Sequence, residues 1–555
     1  MNVAIADIET DSLDATVIHC IVVQPLWSRK KLVFTNLTED QNEKTRFWLL
    51  CQNVGTWVFH NGIGFDVPTI NRLLGDFIKP ETVLDTLILS RLIDYNRQDG
   101  HSLRAWGIRL GLHKGDFKDF DTLSEEMVEY CANDVDVTHR LYKTFLPVIN
   151  DPDWATAIKT EHDIAWACEE MTNTGFLFDR TPAEEMLSEM EQHMEELEQM
   201  FQQIWPPKLV EVNRVKFRMK KDGTLFSTVS SALNRYPKTE RVAGELVCYD
   251  YKKFEPSSPK QRIERLWEAG WEPVEKTKGH IQYVREHRLD KDKHYEVYGW
   301  TCSEKNLQTL PDTAPEGAKK LAEWLTLQGR KSSLVEWLGQ CKDDSRIHGR
   351  FMHIGAWTGR MSHQAPNQAN IPSAFHGTPK DPVEEIKAKY DGPMRKLWRV
   401  PEGKYLVGTD AEGIQLRILA HLMQSKDYVD AIVTGKKEDE TDIHNVNRRA
   451  LGFDHISRDM AKTFIYAFLL GAGTAKIAQI LSVNIAVAKS AVNNFLNSID
   501  GLKELKKQQI PYIARRGWFR GLDGRKVVVP SEHKTLAGML QNGESVVVKH
   551  WVLDW

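Results

Sequence analysis

The first ten residues constrain this chain most, because they place two acids at the end of a short apolar strand. Residues 2–8 are predicted to form a buried strand, since small and branched apolar side chains fill positions 3–6. Asp7 and Glu9 close it, and residues two apart in a strand point to the same side. Two carboxylates on one side repel each other, and a metal ion would relieve that repulsion. Taken alone, the pattern is more typical of two solvated acids, since most acids are exposed.

Two further acids change that balance. Asp66 follows the apolar segment 57–59, and Asp134 lies in a segment that is predicted to be helical. Tyr130 precedes Asp134 by four residues, so the two side chains share one helix face. Hydrolysis of a phosphodiester by two metal ions needs several hard oxygen ligands and a group that orients the attacking water. The four acids and the tyrosine together match that requirement.

A third region places a carboxylate between a strand and a helix. Residues 405–407 are predicted to form a strand that ends near Asp410, and residues 414–423 are predicted to form a helix. A carboxylate at such a junction can bind a metal ion, but the pattern is weakly specific on its own.

A fourth region has a face suited to a nucleotide. Ser457 is a good helix N-cap and Gly471 a good helix stop. Arg458, Lys462 and Tyr466 are four residues apart, so they line one side of the predicted helix. Two cations one turn apart suit a triphosphate, and the ring beyond them can stack on a base. The alternative is an ordinary amphipathic helix with solvated charges, and by itself the pattern favours it.

Five segments in the first 142 residues resemble the 3′–5′ proofreading exonuclease of family-A DNA polymerases, and most of all the replicative polymerases of short-tailed bacteriophages. They read DIET, HNGIGFDVP, DTLILSRLI, HSLRAWGIRLG and YCAND. The resemblance implies an RNase H-like domain in which four carboxylates bind two Mg²⁺ ions and a tyrosine positions the water. The implied metal ligands are Asp7, Glu9, Asp66 and Asp134, and the implied tyrosine is Tyr130.

The second half resembles the palm and fingers of the same family. The matching segments are 357–373, DIH at 442–444, 457–473 and GLDGRKVVVP at 521–530, the last of which is predicted to form a hairpin with a tight Asp-Gly turn. The resemblance implies that Asp410 binds two further Mg²⁺ ions. It also implies contacts with the incoming dNTP and with DNA near the primer end. The implied nucleotide contacts are His444, Arg458, Lys462, Tyr466 and Gln415, and the implied DNA contacts are Arg360 and Gln541.

One departure from the family pattern concerns the polymerase chemistry. The family's second palm aspartate follows a histidine in a hairpin, and no His-Asp pair occurs between Asp410 and residue 555. Phosphoryl transfer with two metals needs carboxylates that bridge both ions. The chain is therefore expected to end inside an incomplete palm and to need a second, smaller polypeptide that carries the hairpin. A truncated chain and an inactivated polymerase are the competing explanations.

Two smaller departures concern nucleotide selection. Gln415 stands where the family has a glutamate that crowds the sugar 2′ position and bonds to the fingers tyrosine. Glutamine keeps the bulk and loses the charge, so ribonucleotides are still expected to be excluded. Leu470 replaces a second fingers tyrosine, whereas Tyr466 implies acceptance of dideoxynucleotides.

The middle of the chain is predicted to be a helical thumb with a basic insert. Pro206-Pro207 ends a long helix, and residues 208–253 are rich in Lys, Arg and β-prone residues, with a turn at Asp222-Gly223. The insert is interpreted either as a solvated basic hairpin or as a grip on the duplex backbone. In the resembled phage polymerases an insertion at this place binds a processivity factor. His162-Asp163 is set aside as a catalytic pair, because it lies on the wrong side of the thumb-like region and is predicted to head a helix.

The fold predicted from these features is a multi-domain α/β protein. The predicted parts are an exonuclease domain (1–150), a thumb (151–340) with the insert near 206–253, a first palm part (341–424), fingers (425–520) and an incomplete palm return (521–555). The predicted function is a DNA polymerase subunit with proofreading that acts on primer–template DNA. The alternatives are a stand-alone exonuclease with an inactive polymerase half and a non-catalytic primer–template clamp.

Composition and charge predict in which cellular compartment the protein is found and bear on whether it binds nucleic acid. Seven cysteines without a CxxC pair favour reduced thiols, and the early acids and short apolar runs favour neither a signal peptide nor a membrane span. A phage-encoded protein in the cytoplasm of a bacterial host is expected. The net charge of −4 does not indicate a nucleic-acid binder, but binding needs only a local basic stripe.

Overall fold

The computed structural model describes residues 2–112, 117–271, 275–288, 299–307, 310, 313–314 and 316–555. They form two compact units. The first contains Met1–Gly175, Gly349–Ala369 and Leu406–Trp555, and the second contains Phe176–His348 and Asn370–Tyr405.

The first 175 residues form an α/β domain around a five-stranded sheet. The strands run in the order β3-β2-β1-β4-β5, with β1 antiparallel to β2 and parallel to β4. Both faces of the sheet are covered by apolar clusters, which explains why β2 is buried at every position. The elements in order are β1 (Val3–Thr10), β2 (Ile18–Pro25), β3 (Leu32–Thr35), α1 (Gln41–Cys51), β4 (Thr56–Phe59), α2 (Asp66–Leu74), β5 (Val83–Asp85), α3 (Thr86–Ile93), α4 (Leu103–Leu110), α5 (Glu125–Ile149) and α6 (Ala155–Thr174).

Residues 176–405 supply the second unit and one hairpin of the first. The hairpin is β11 paired with β12. The elements in order are β6 (Phe176–Phe178), α7 (Arg180–Ile204), β7 (Lys208–Lys216), α8 (Ser227–Arg235), β8 (Lys238–Val242), β9 (Glu245–Lys252), α9 (Pro259–Glu268), α10 (Lys278–Glu286), α11 (Glu304–Leu307), α12 (Glu316–Gln340), β10 (Arg346–Ile347), β11 (Arg350–Met352), β12 (Ser362–Gln364), α13 (Pro382–Lys396) and β13 (Trp398–Arg399).

The second unit is built on the long helices α7 and α12, which share one apolar core with α13. The predicted helix before Pro206 is observed, and it ends at Ile204. The turn predicted at Asp222-Gly223 is observed, but the insert is larger than the basic hairpin that was one of its two interpretations. It is a three-stranded antiparallel sheet in the order β7-β9-β8, and α8 covers it over a small core of its own. A third strand and a helix are needed because an isolated two-stranded hairpin buries too little apolar surface to be stable.

Residues 406–555 return to the first unit and are mainly helical. Their largest apolar cluster joins α14 to α21 and reaches α22. The elements are α14 (Ile414–Met423), α15 (Lys426–Val433), α16 (Ile443–Leu451), α17 (Arg458–Leu469), α18 (Thr474–Ile480), α19 (Ile485–Ser498), α20 (Leu502–Glu504), a π-helical turn (Leu505–Gln509), α21 (Ile510–Arg516), β14 (Trp518–Arg520), β15 (Lys526–Val528) and α22 (Glu532–Leu553).

Helix α22 packs closely on the elements that face it. A side chain at Gly543 would lie 2.8 Å from Ile418 on α14, and one at Gly538 would lie 2.2 Å from the Trp357 ring. Glycine at these two positions therefore allows the close approach.

Among the helices of the described ranges, none alone has the length and apolar character to cross a membrane. Helices α18 and α19 have that length and character only when taken together, and a 94° bend separates them.

Candidate active sites

The predicted exonuclease carboxylates come from three elements that meet at β1. Asp7 and Glu9 lie on β1, Asp66 is the first residue of α2, and Asp134 lies in the middle of α5. The Asp66 carboxylate accepts a hydrogen bond from the backbone N–H of Ile8, between the two β1 acids. Glu9, Asp66 and Asp134 are buried, at 8%, 4% and 4% exposure, so their charges are poorly solvated.

The electrostatics of Asp66 show that the site carries excess negative charge. Burial, together with the nearby carboxylates of Asp85 and Asp134, raises the pKa of Asp66 to about 8. Carboxylate oxygens are the ligands that Mg²⁺ prefers, and a bound divalent ion would stabilise the charged form of each acid. The donor set therefore fits a divalent metal.

Cys131 is a member of this site that the sequence analysis missed. Carboxylate oxygens of Asp7 and Glu9 and the Cys131 sulfur all lie within 4.8 Å of one another. Burial raises the pKa of Cys131 well above its usual range, and Cys20, Asp7 and Glu9 add to that effect. The thiol is therefore neutral, and its Sγ lies 3.3 Å from the Asp7 carbonyl oxygen, to which it donates. It acts as a hydrogen-bond donor beside the acids and not as a thiolate ligand.

Tyr130 occupies the same helix one turn before Asp134 and is half-buried. Its ring packs against Phe117 and Phe120, with ring centroids 5.6 Å and 6.3 Å apart. These contacts restrict the ring, so the phenol is held on the helix face that carries Asp134.

The segment around Asp410 differs from the prediction. Residues 404–411 form neither a strand nor a helix, so the strand predicted at 405–407 is wrong for this structure. The cause is that no neighbouring strand among the described residues pairs with this segment, and a strand needs such a partner to satisfy its backbone groups. Tyr405, Leu406 and Val407 are 91%, 70% and 66% exposed, and Asp410 is exposed as well. The helix predicted after it is observed as α14.

The predicted nucleotide-binding residues of the fingers are brought together by α16 and α17. The Arg458 guanidinium makes a two-pronged ion pair with Asp442, at 2.7 Å and 3.1 Å. Burial and the neighbouring cations Arg458 and Lys462 lower the pKa of His444, and its ring centroid lies 6.4 Å from that of Tyr466. Lys462 is exposed on the same face. The helix begins after Ser457, whose side chain accepts from the N–H of Met460, as predicted from the cap.

The predicted sugar and DNA contacts meet at a carboxylate on α22. The Gln415 side chain donates to Glu544 at 3.1 Å, and Arg360 forms an ion pair with the same Glu544 oxygen. Gln541, one turn before Glu544, is half-buried on α22. In the structure the glutamine thus bonds to α22, whereas the resemblance implied a bond to the fingers tyrosine. Glu544 was missed because nothing in its local sequence marks it, although its spacing from Gln541 places both on one helix face.

Comparisons with known proteins agree with this geometry. The model of DNA polymerase family A matches residues 229–546, and the model of the 3′–5′ exonuclease matches residues 6–150. The chain belongs to DNA polymerase family A. It is a DNA-directed DNA polymerase, and therefore a nucleotidyltransferase, with a 3′–5′ exonuclease domain.

Individual relatives support the same assignment. The DNA-directed DNA polymerases of Enterobacteria phage T3 and Escherichia phage T7 are each 30% identical to this chain, over 90% of it and 82% of their own length. The thermostable DNA polymerase I of Thermus aquaticus is 25% identical over 40% of the chain and 26% of that protein. The resemblance to family A and to phage polymerases is thereby confirmed.

A solved structure confirms the predicted fold class. The polymerase domain of Pol1 from M. smegmatis, solved with DNA primer–template and dNTP, superposes with a TM-score of 0.67 at 17% sequence identity. The match covers 99% of this chain and 84% of that one.

Polymerases and exonucleases of these families generally depend on Mg²⁺.

Proposed function

We propose that the polymerase site of this chain is completed by a carboxylate from outside these 555 residues, carried on a β-hairpin that pairs with the segment around Asp410. One observation carries the proposal. Residues 404–411 run without a strand partner in the described ranges, and three consecutive large side chains from Tyr405 to Val407 are exposed. Unpaired backbone next to exposed apolar side chains is a surface that an added strand would cover.

Helix α22 and Trp555, which lies two residues after it, offer apolar surface of the same kind. Val547, Val552 and Trp555 are 42%, 38% and 74% exposed. An added hairpin could pack on these side chains as it pairs with residues 404–411. The hairpin has two potential sources, which are a second polypeptide, as in a split polymerase, and a continuation of this chain.

The residues proposed to act at the two sites follow the predictions. At the exonuclease site Asp7, Glu9, Asp66 and Asp134 hold two Mg²⁺ ions, which would stabilise charge on the phosphate, and Tyr130 orients the attacking water. At the polymerase site Asp410 and the added carboxylate hold two further ions. Arg458, Lys462 and His444 bind the triphosphate, Tyr466 stacks on the base, Gln415 contacts the sugar, and Arg360 and Gln541 contact the primer–template.

Primer extension tests the completion of the polymerase site. The 555-residue chain with Asp7→Ala and Glu9→Ala, which silence degradation, is expected to give no extension of a primer–template with Mg²⁺ and four dNTPs. Extension is expected to return when a second polypeptide with a His-Asp hairpin is added, and not when that aspartate is replaced by asparagine. The readout is primer length on a gel over time.

Two other outcomes would contradict the proposal. Robust extension by the chain alone would mean that another carboxylate within these residues completes the site. No extension with any hairpin, together with no fingers closure on a matched dNTP, would favour the exonuclease-only alternative. A non-catalytic clamp is not favoured, because both matched families are enzymes.

The insert is proposed to grip the DNA backbone. Residues 206–253 contain eleven Lys and Arg against five Asp and Glu, in a chain whose net charge is −4. A groove of about 610 Å³ between β7 and α8 is lined by Lys216, Arg218 and Arg235, together with hydroxyl groups and the half-exposed ring of Phe226. Within the described residues no carboxylate lies within 4 Å of these three cations. The free cations can neutralise phosphates. A processivity factor on this insert and a location in the bacterial cytoplasm stay predictions.

Charge reversal in this groove is expected to weaken DNA binding. Lys216→Glu with Arg218→Glu should lower affinity for primer–template about tenfold or more near 0.1 M salt, and should reduce the salt slope by about 2. Lys238→Glu with Arg241→Glu on β8, outside the groove, also reverses two charges; it is the matched control and should have a smaller effect. Fluorescence anisotropy over a salt series measures both quantities. If both variants lose the same affinity for primer–template, the effect comes from the overall charge of the chain. That result would contradict the proposed binding of the DNA backbone by this groove.

A further inference from the structure

His162 lies inside helix α6 and is buried, and both of its ring nitrogens have partners. Nδ1 lies 2.7 Å from the Ile158 carbonyl oxygen, and Nε2 accepts from the backbone N–H of Asp85 at 2.9 Å. A carbonyl only accepts and a backbone N–H only donates, so these partners fix the neutral tautomer with its proton on Nδ1. Burial also lowers the pKa of His162, which agrees with a neutral ring. The sequence prediction that this residue heads a helix is wrong, since α6 begins seven residues earlier, at Ala155.

Asp85, which His162 holds, organises the turn that precedes Asp66. Its carboxylate accepts from the backbone N–H groups of Asn61 and Ile63, at 2.9 Å and 3.1 Å. It also caps α3 by accepting from Leu87 at 2.8 Å. The turn is tight, because Asn61 has a φ of +71° and a side chain at Gly62 would lie 2.2 Å from Phe59.

Thr86, the next residue, holds the start of the same turn. Its hydroxyl donates to the Phe59 carbonyl at 2.9 Å and lies 2.9 Å from Nδ1 of His60. The turn leads directly into α2, whose first residue is Asp66. A shift of Asp85 would therefore be passed to Asp66 through a short segment held at both ends.

Helix α6 is itself fixed at the residue before His162. Glu161 is fully buried, and its carboxylate lies 2.7 Å from Nζ of Lys549 and 2.7 Å from a guanidinium nitrogen of Arg525. Both cations belong to the part of the first unit that follows residue 406. His162 thus sits on a rigid support, which is what positioning of a second group requires.

We propose that His162 is a positioning residue of the exonuclease site, which holds Asp85 so that the turn at 59–63 presents Asp66 to the metal ions. This inference rests on the proposed role of Asp66 as a metal ligand. His162 does not touch the substrate or the metal, so its effect is expected on metal affinity and turnover and not on the binding of the DNA strand.

A pair of substitutions in the full chain tests the inference. His162→Leu keeps the bulk and removes the acceptor for the Asp85 N–H, whereas His162→Gln keeps an acceptor oxygen at similar reach. His162→Leu is expected to lower exonuclease kcat on a single-stranded oligonucleotide by about 10- to 100-fold and to weaken Mn²⁺ binding, measured by calorimetry, by about tenfold or more. KM for the oligonucleotide should stay within about threefold, and His162→Gln should restore most of both losses.

Two controls keep the outcomes distinct. Ile164→Ala, a fully buried position on the same helix, should destabilise the fold and leave kcat and Mn²⁺ affinity unchanged. The inference is overturned if His162→Leu keeps kcat and Mn²⁺ affinity within threefold, or if His162→Gln and Ile164→Ala lose as much as His162→Leu. Asp66→Asn is measured in parallel. If Asp66→Asn keeps full activity, the proposed ligand role fails; if it is inactive while His162→Leu is active, only the positioning role fails.

Discussion

Asp134→Asn is expected to lower exonuclease turnover by at least about 10³-fold, because removing one carboxylate from a two-metal site forfeits several kcal/mol of transition-state stabilisation. Asp7→Asn should have an effect of similar size. The measurement is single-turnover hydrolysis of a 3′-labelled oligonucleotide in Mg²⁺. The reason for this size at Asp134 lies in its burial, since its charge has little water to screen it.

Asp136→Asn is the matched control for this prediction. Asp136 lies on the same helix two residues after Asp134, but its side chain is half-exposed and pairs with Lys31 at 2.6 Å. Surface pairs of this kind contribute about 0–1 kcal/mol to stability. Turnover by Asp136→Asn should therefore match that of the unmodified chain. Retained turnover in Asp134→Asn, or equal losses in both variants, would contradict the assignment of the metal site.

Glu161→Gln is expected to lower the free energy of unfolding by about 3–5 kcal/mol, since it leaves buried cations without their counter-charge. The cluster pairs Glu161 and Asp523 with Lys549 and Arg525, and all four are nearly inaccessible to water. His353 also contacts Glu161, at 3.3 Å, and burial lowers its pKa. The two carboxylates and the two cations of this cluster therefore balance in charge. Replacing Glu161 by glutamine leaves one excess positive charge inside the protein.

A double-mutant cycle separates this effect from lost packing. Lys549→Met is expected to be strongly destabilising alone, whereas Glu161→Gln with Lys549→Met restores the charge balance and should cost less than the sum of the two single changes. Lys159→Met on the same helix removes an exposed pair with Asp163 and should cost under about 1 kcal/mol. Denaturant unfolding of the unmodified chain, of the two single variants and of the double variant gives the four free energies of unfolding in the cycle. Additive costs in the cycle would mean that the ion pair contributes no coupling.

The pH dependence of stability follows from the same cluster. Burial by itself raises the pKa of Glu161, but Lys549, Arg525 and His353 outweigh it and hold that pKa well below its usual range. A carboxyl with a lowered folded-state pKa stabilises the protein above its unfolded pKa, and that stability is lost as the pH falls below about 5. Glu161→Gln should therefore show a shallower loss of stability on acidification than the unmodified chain.

Local sequence determined the elements that carry most of the candidate site residues. The strand before Asp7, the helix with Tyr130 and Asp134, the Ser457 cap of α17 and the helix after Asp410 were all predicted and are observed. Each depends on a periodicity or a cap within a few residues, so no long-range contact was needed to recognise it.

The predictions that failed concern features that depend on contacts between distant parts of the chain. The strand predicted at 405–407 does not form because its formation depends on a distant partner, and the insert gained a third strand and a helix because its apolar residues need a common core. Cys131 and Glu544 belong to their sites only because helices α5 and α22 bring them there.

The sequence by itself determined which chemistry this chain carries, since the motifs that contain these carboxylates, cations and the tyrosine resemble those of one enzyme family. Only the tertiary structure decided how those groups are held. The burial that raises the pKa of Asp66, the link from His162 to Asp85, and the pairing of Glu161 with Lys549 across 388 residues depend on packing between distant segments. Spacing along the chain fixes which side chains share a face of a helix or strand. The burial of those side chains and the charges around them depend on which distant segments pack against that face.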